Sequence, residues 1–153
     1  MVSAAKTAAD HFRHLHFGGN WTITHYRDLL SDVSYEMACK KVGDLNNIIT
    51  LTVHVYYFIP VQLRVFKDGI LEGNDKLSFD HSFIQSEDDW QAFLQKFWTD
   101  AEELAQLIED FPEKDFLGDF VITKYGTYAR NIHGMIEHAH YHMGQIALIK
   151  KMI

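Results

Sequence analysis

This chain has a single cysteine, two prolines and no surplus of basic residues. A lone thiol, Cys39, has no intramolecular partner, which excludes a disulfide-stapled scaffold and points to a reducing cytoplasm. Fourteen Lys and Arg against twenty-one Asp and Glu give a formal charge of -7. No basic run is long enough to neutralise a row of phosphates, so nucleic acid is not expected as a partner. The longest apolar stretch, ITLTVHVYYFIPV, falls short of the ~18 residues a membrane span needs and carries His54. The opening residues, MVSAAKTAAD, lack the apolar run of a signal peptide. No GxSxG, phosphate-binding glycine loop or CxxC is present, so nucleophilic triads have no support. The expectation is a soluble cytoplasmic protein without membrane or nucleic-acid partners.

What the chain does have is apolar side chains and histidine. Its 47% hydrophobic and 14% aromatic content excludes a disordered chain, and 153 residues suit one domain, spanning 1–153. Ser3 can cap a helix over 3–17 that stops at Gly18-Gly19. Residues 20–47 read as an irregular connection with one or two short turns. From 48 to 67, apolar residues recur at 48, 51, 55, 58, 61 and 65, close to the period of a buried helix face, with Pro60 expected to kink or break it. SFDHSFIQ reads as loop. Ser86 and the acidic residues 87–89 start a helix over 87–110, which ends before Pro112. FVITKY is an extended turn, and a last helix covers 127–151. Four helices with polar connections predict an all-α bundle with almost no strand.

Of ten histidines, His133, His138, His140 and His142 fall within one ten-residue window. With His138 at zero on a helical wheel, His142 lies at about 40°, on the stripe that also carries Met135, Ile146 and Ile149. Two interior imidazoles one turn apart need separate hydrogen-bond partners or one shared cation. His54, on the inward stripe of the second long helix, is a third candidate ligand. Three histidines from two helices would make an open site for a divalent ion, with at least one position left for water or substrate. His133 and His140 fall on the opposite face and read as surface residues. His11 and His14 read as a solvated face, His16, His25 and His81 are isolated, and Cys39 reads as a small packing residue. Gln145, at about 340°, can orient a ligand, bind substrate or bond a backbone group.

The segment His138-Ala139-His140-Tyr141-His142-Met143-Gly144-Gln145-Ile146 resembles the HxxHHxGQ fourth-helix motif of the DinB-like, or YfiT-like, metalloenzyme superfamily. GGNW after the first helix, SEDDW at the third and KYGTY before the fourth extend the resemblance over nearly the whole chain. It implies a four-helix bundle of up-down-down-up topology and a homodimer. It also implies a metal site of His54, His138 and His142, holding nickel or zinc. Tyr141 replaces the family's paired histidine and Met143 its usual arginine; neither change removes a ligand. The resemblance further implies a thiol S-transferase acting on a small molecule through a metal-bound thiolate of a low-molecular-weight thiol. The alternatives are a hydrolase using metal-bound water and a metal-binding or interaction module without turnover. No catalytic residue beyond the metal ligands is assigned.

Overall fold

The structure, a computed structural model, describes residues 3–153. Helix α1 covers Ala4–Phe17; its cap is Ser3, whose hydroxyl accepts from the Lys6 amide. Two short helices follow, α2 at Tyr26–Leu29 and α3 at Tyr35–Cys39. Helix α4, Ile48–Asp68, starts where the Asn47 side chain accepts from the Thr50 amide and stops at Gly69, whose φ of 67° is a left-handed conformation that costs glycine little. Helix α5, Glu87–Asp110, is capped by Ser86 and carries three acidic residues in its first turn. After the single turn α6, Glu113–Phe116, helix α7 runs over Tyr128–Lys150 behind its Thr127 cap. No strand longer than one isolated bridge, Asp119 with Thr127, occurs among the described residues.

The four long helices enclose one core. Helix α1 packs against α5 and α7, and α4 packs against the same two. The apolar periodicity of each helix places Phe12 and Leu15, Ile59, Trp90, Phe97 and Ile146 in the interior, all fully buried. Polar groups that enter the core are bonded across elements. The Tyr26 hydroxyl donates to the Ala139 carbonyl at 2.6 Å, the Trp90 indole N–H to the Val33 carbonyl at 2.7 Å, and the Tyr56 hydroxyl to the Asp100 carboxylate at 2.7 Å. Lys150 pairs with Asp32 and donates to the Leu29 carbonyl, fixing the end of α7 to the connection after α1.

Several expectations change. Pro60 does not break α4, which continues to Asp68 although proline gives the Tyr56 carbonyl no donor. As an unbroken 21-residue helix, α4 is long and apolar enough to cross a membrane by length and composition, contrary to the reading that the segment is too short. Its interior residues are nevertheless packed in the bundle, 61% of the most apolar window being buried. SFDHSFIQ is not all loop: Asp75–Phe79 forms a 3-10 turn packed on α4, and Thr123–Tyr125 forms another. His140 is half-buried rather than on the surface, its ring centroid 6.0 Å from that of His11.

His16 is not isolated either. It is 1% exposed, stacked on Tyr26 and edge-on to Phe97. Its Nδ1 lies 2.8 Å from the Phe12 carbonyl, which can only accept, so Nδ1 carries the proton and the buried Nε2 has no partner. Burial accordingly pushes its pKa down to about 4 from the ordinary 6.5. Between those values the unfolded chain holds a proton that the folded chain lacks, so this residue's contribution to stability falls as pH drops from 6.5 towards 4. Replacing His16 with Phe should flatten the pH dependence of urea-unfolding stability across that window by up to about 1.4 kcal/mol per pH unit, the slope of one proton. Parallel curves for the two proteins would show that His16 is not titrating as its burial requires.

Candidate metal centre

The inward stripes of α4 and α7 meet at three imidazoles. His54 is 5% exposed and His142 9%, while His138, one turn before His142, is half-buried. The Nε2 atom of His138 lies 3.0 Å from Nε2 of His54 and 3.0 Å from Nε2 of His142. One nitrogen from each ring falls within 4.8 Å of the other two. The sequence-derived trio is therefore together in space, whereas His133 is exposed and outside it.

The outer nitrogens determine what the inner ones present. His54 Nδ1 lies 2.7 Å from Ser78 Oγ, and that hydroxyl spends its own hydrogen on the Asp75 carbonyl at 2.6 Å. Ser78 must then accept from His54, so Nδ1 is protonated and Nε2 is a bare lone pair. His142 Nδ1 lies 2.7 Å from Gln145 Oε1, an atom that can only accept, and the Gln145 amide is oriented by donating to the Tyr141 hydroxyl at 3.1 Å. His142 is thus fixed in the same tautomer. Both lone pairs face His138 Nε2, which carries at most one hydrogen and cannot satisfy two acceptors with good geometry. A shared cation removes the conflict. Two metal–nitrogen bonds of ~2.1 Å at a right angle place their nitrogens about 3.0 Å apart, against about 3.4 Å at a tetrahedral angle. The donor set therefore fits a divalent ion.

Electrostatics favour the metal-ready state. Desolvation, then the neighbouring imidazoles His138 and His142, push the His54 pKa down to about 4, with Asp75 opposing. Desolvation and His142 lower that of His138, again against Asp75. Neutral imidazole is the form that binds metal. Aromatic rings fix the plane of His54: Phe79 stacks on it at 4.1 Å and Phe58 meets it edge-on at 5.5 Å. Phe58 also meets His138 edge-on at 5.3 Å.

No family model, curated protein or solved structure matches this chain. What the structure itself contributes is the geometry of the three histidines. Sequence reasoning missed Ser78, in the stretch read as loop, and Asp75, three residues before it. The only signal for them is the local pattern Asn74-Asp75 followed by Ser78, which suits a capped single turn, and nothing in it points at a histidine on another element. Of the three roles open to Gln145, the structure has it bonded to the His142 ring.

The left and right supports of the trio should be measurable separately. Ser78→Ala and Gln145→Leu are each expected to weaken divalent-metal affinity by about 10–100-fold in chelator competition, the usual cost of losing a bond that orients a metal-binding histidine. His133→Ala should leave affinity unchanged. Unchanged affinity in both support variants would mean that the imidazoles are not oriented by these bonds.

Proposed function

We propose that this chain is a divalent-metal protein of the DinB-like kind, a four-helix up-down-down-up bundle in which His54, His138 and His142 hold one ion. The observation that carries this reading is the pair of outer bonds, His54 to Ser78 and His142 to Gln145, which turn two lone pairs towards a third imidazole. Nickel and zinc, the ions the resemblance implies, are both suited to imidazole nitrogen.

Such an ion supplies Lewis acidity, lowering the pKa of a bound thiol or water. The rest of the site is the work of the chain. His138 is the least buried ligand, and it lines a cavity of about 360 Å³ together with Phe58, Met135 and Asn131. That side gives a small molecule access, while Phe58 and Phe79 shield the His54 side from water. Our preferred reaction is thiol S-transfer, in which a low-molecular-weight thiol brings the nucleophilic sulfur and the cavity holds the electrophile. Hydrolysis at the same centre, or metal binding without turnover, are the competing readings. Thiol consumption with an electrophile such as 1-chloro-2,4-dinitrobenzene discriminates them. The expected result is metal-dependent turnover that His138→Ala abolishes together with metal content and that His133→Ala retains. Ester cleavage without thiol would favour the hydrolase, and silence in both assays the binding module.

Acidification gives a second check. Because the His54 pKa is held near 4 rather than 6.5, proton competition at that ligand sets in late. The metal should be retained at about pH 6 and lost on approach to about pH 4, with helical circular dichroism largely preserved after chelation at neutral pH. Release already complete at about pH 6 would contradict the burial argument for His54.

We further propose a cytoplasmic homodimer. Trp21 is 99% exposed and Ile23 85%, and Ile23 holds a φ of 64° that a β-branched residue adopts at a cost. Their loop borders a cavity of about 540 Å³ against Met143, Gly144 and Ala147 of α7. A second copy seated there would cover the indole. Trp21→Ser should then shift the mass measured by light scattering from dimer towards monomer without loss of metal; a wild-type monomer would remove the proposal.

A further inference from the structure

The cavity beside His138 does not end there. It shares Phe58, Gln62, Asp75 and Asn131 with a second cavity of about 340 Å³, which extends outward between α4, the 71–75 segment and the 120–125 segment. Together they form one cleft leading from a metal ligand to solvent. Four aromatic side chains line it: Tyr57, Phe58, Phe120 and Tyr125. Among the described residues Asp75 is the one charged side chain on its walls, and it lines both halves. Asp75 forms no ion pair with any described lysine or arginine.

The neutral polar groups lean the same way. Gln62 Oε1 is buried and has no hydrogen-bond partner. Asn131 commits its Nδ2 to the Tyr125 and Thr127 carbonyls, so the oxygen is the end of that amide still free to bond. A carboxylate, two amide oxygens and four aromatic faces accept hydrogen bonds and attract positive charge. No lysine or arginine is among the side chains that line the cleft. The aromatic walls already hold one ammonium: exposed Lys124 places Nζ 4.8 Å from the centre of the Tyr125 ring.

We propose that this cleft binds an organic cation, its ammonium held beside Asp75 between the aromatic walls of the outer half and its other end directed along Phe58 towards His138. The inference rests on the proposed metal reading for the role of that other end, since it makes an organic ammonium compound the substrate class of the same site. The separation also makes electrostatic sense. Asp75, which lines both halves, offsets part of the repulsion between the ligand's positive charge and an ion on the histidines.

Choline and 3,3-dimethylbutan-1-ol have nearly the same shape and the same hydroxyl, and differ in charge. Titrating each into the purified full-length protein while recording amide resonances isolates the contribution of that charge. Choline should bind roughly tenfold more tightly than the neutral alcohol, with shifts centred on Gln62, Asp75 and Tyr125. Asp75→Asn, a change at an exposed side chain, should abolish the discrimination, and Tyr125→Leu should reduce it. Equal affinities in the wild type, shifts centred elsewhere, or discrimination unchanged in Asp75→Asn would each overturn the proposal. Metal content measured on the same sample, and a repeat after chelation, separate this inference from the metal reading. Discrimination that persists after chelation would support the cleft independently of the metal, and a protein that discriminates but binds no added nickel or zinc would remove the metal centre alone. Bound metal without discrimination would remove the cleft alone.

Discussion

Three imidazole nitrogens directed at one point are a repulsive arrangement unless something positive sits among them, and the rest of the structure depends on how that conflict is arranged. A bundle core accepts a histidine without penalty only if both ring nitrogens are satisfied, because an unpaired buried polar group costs about 1–3 kcal/mol. His54 and His142 meet half of that requirement through Ser78 and Gln145. Those same bonds force the other half towards His138. The 3-10 turn at Asp75–Phe79 is thus more than a connection, since it supplies the hydroxyl that sets one tautomer and the phenyl ring that sets the plane. The contrast with His16 is instructive. It too leaves a buried nitrogen without a partner, but it stands alone among aromatic rings, so its cost is simply carried by the core.

Much of this architecture was legible in the sequence because the four long helices announce themselves by period and punctuation. Ser3, Ser86, Gly69 and Pro112 act as the start and stop signals that capping chemistry requires, and α5 begins and ends where Ser86 and Pro112 place it. What was not legible was decided by tertiary contact. Whether Pro60 interrupts a helix depends on what surrounds the helix, and the packing of α4 between α5 and α7 keeps the chain helical through it. A five-residue 3-10 turn between two long helices leaves no periodicity to read. The half-burial of His140 follows from the closeness of α1 and α7, which a wheel drawn for one helix cannot contain.

The site was legible to the same depth. Spacing of four on α7 and the inward stripe of α4 were sufficient to nominate His54, His138 and His142. Wheel geometry says which residues share a face, and it says nothing about the residues that hold those rings from outside. Ser78 comes from a segment 24 residues from the ring it supports. Asp75 and Gln62 enter only once the cleft is visible, because neither belongs to a motif. On the proposed metal reading, the arrangement also explains why His138 is left half-buried. Enclosing His138 as fully as His54 would close the cavity that His138 lines, which on that reading is the way in for a small molecule.

The central claim is that three imidazoles of one chain ligate a single ion. X-ray absorption at the metal edge of protein purified without a histidine tag tests it most directly. The account predicts a first shell with the multiple-scattering signature of three imidazoles at ~2.1 Å, reduced to two in His54→Ala. A first shell without imidazole scattering, or one that His54→Ala leaves unchanged, would contradict it.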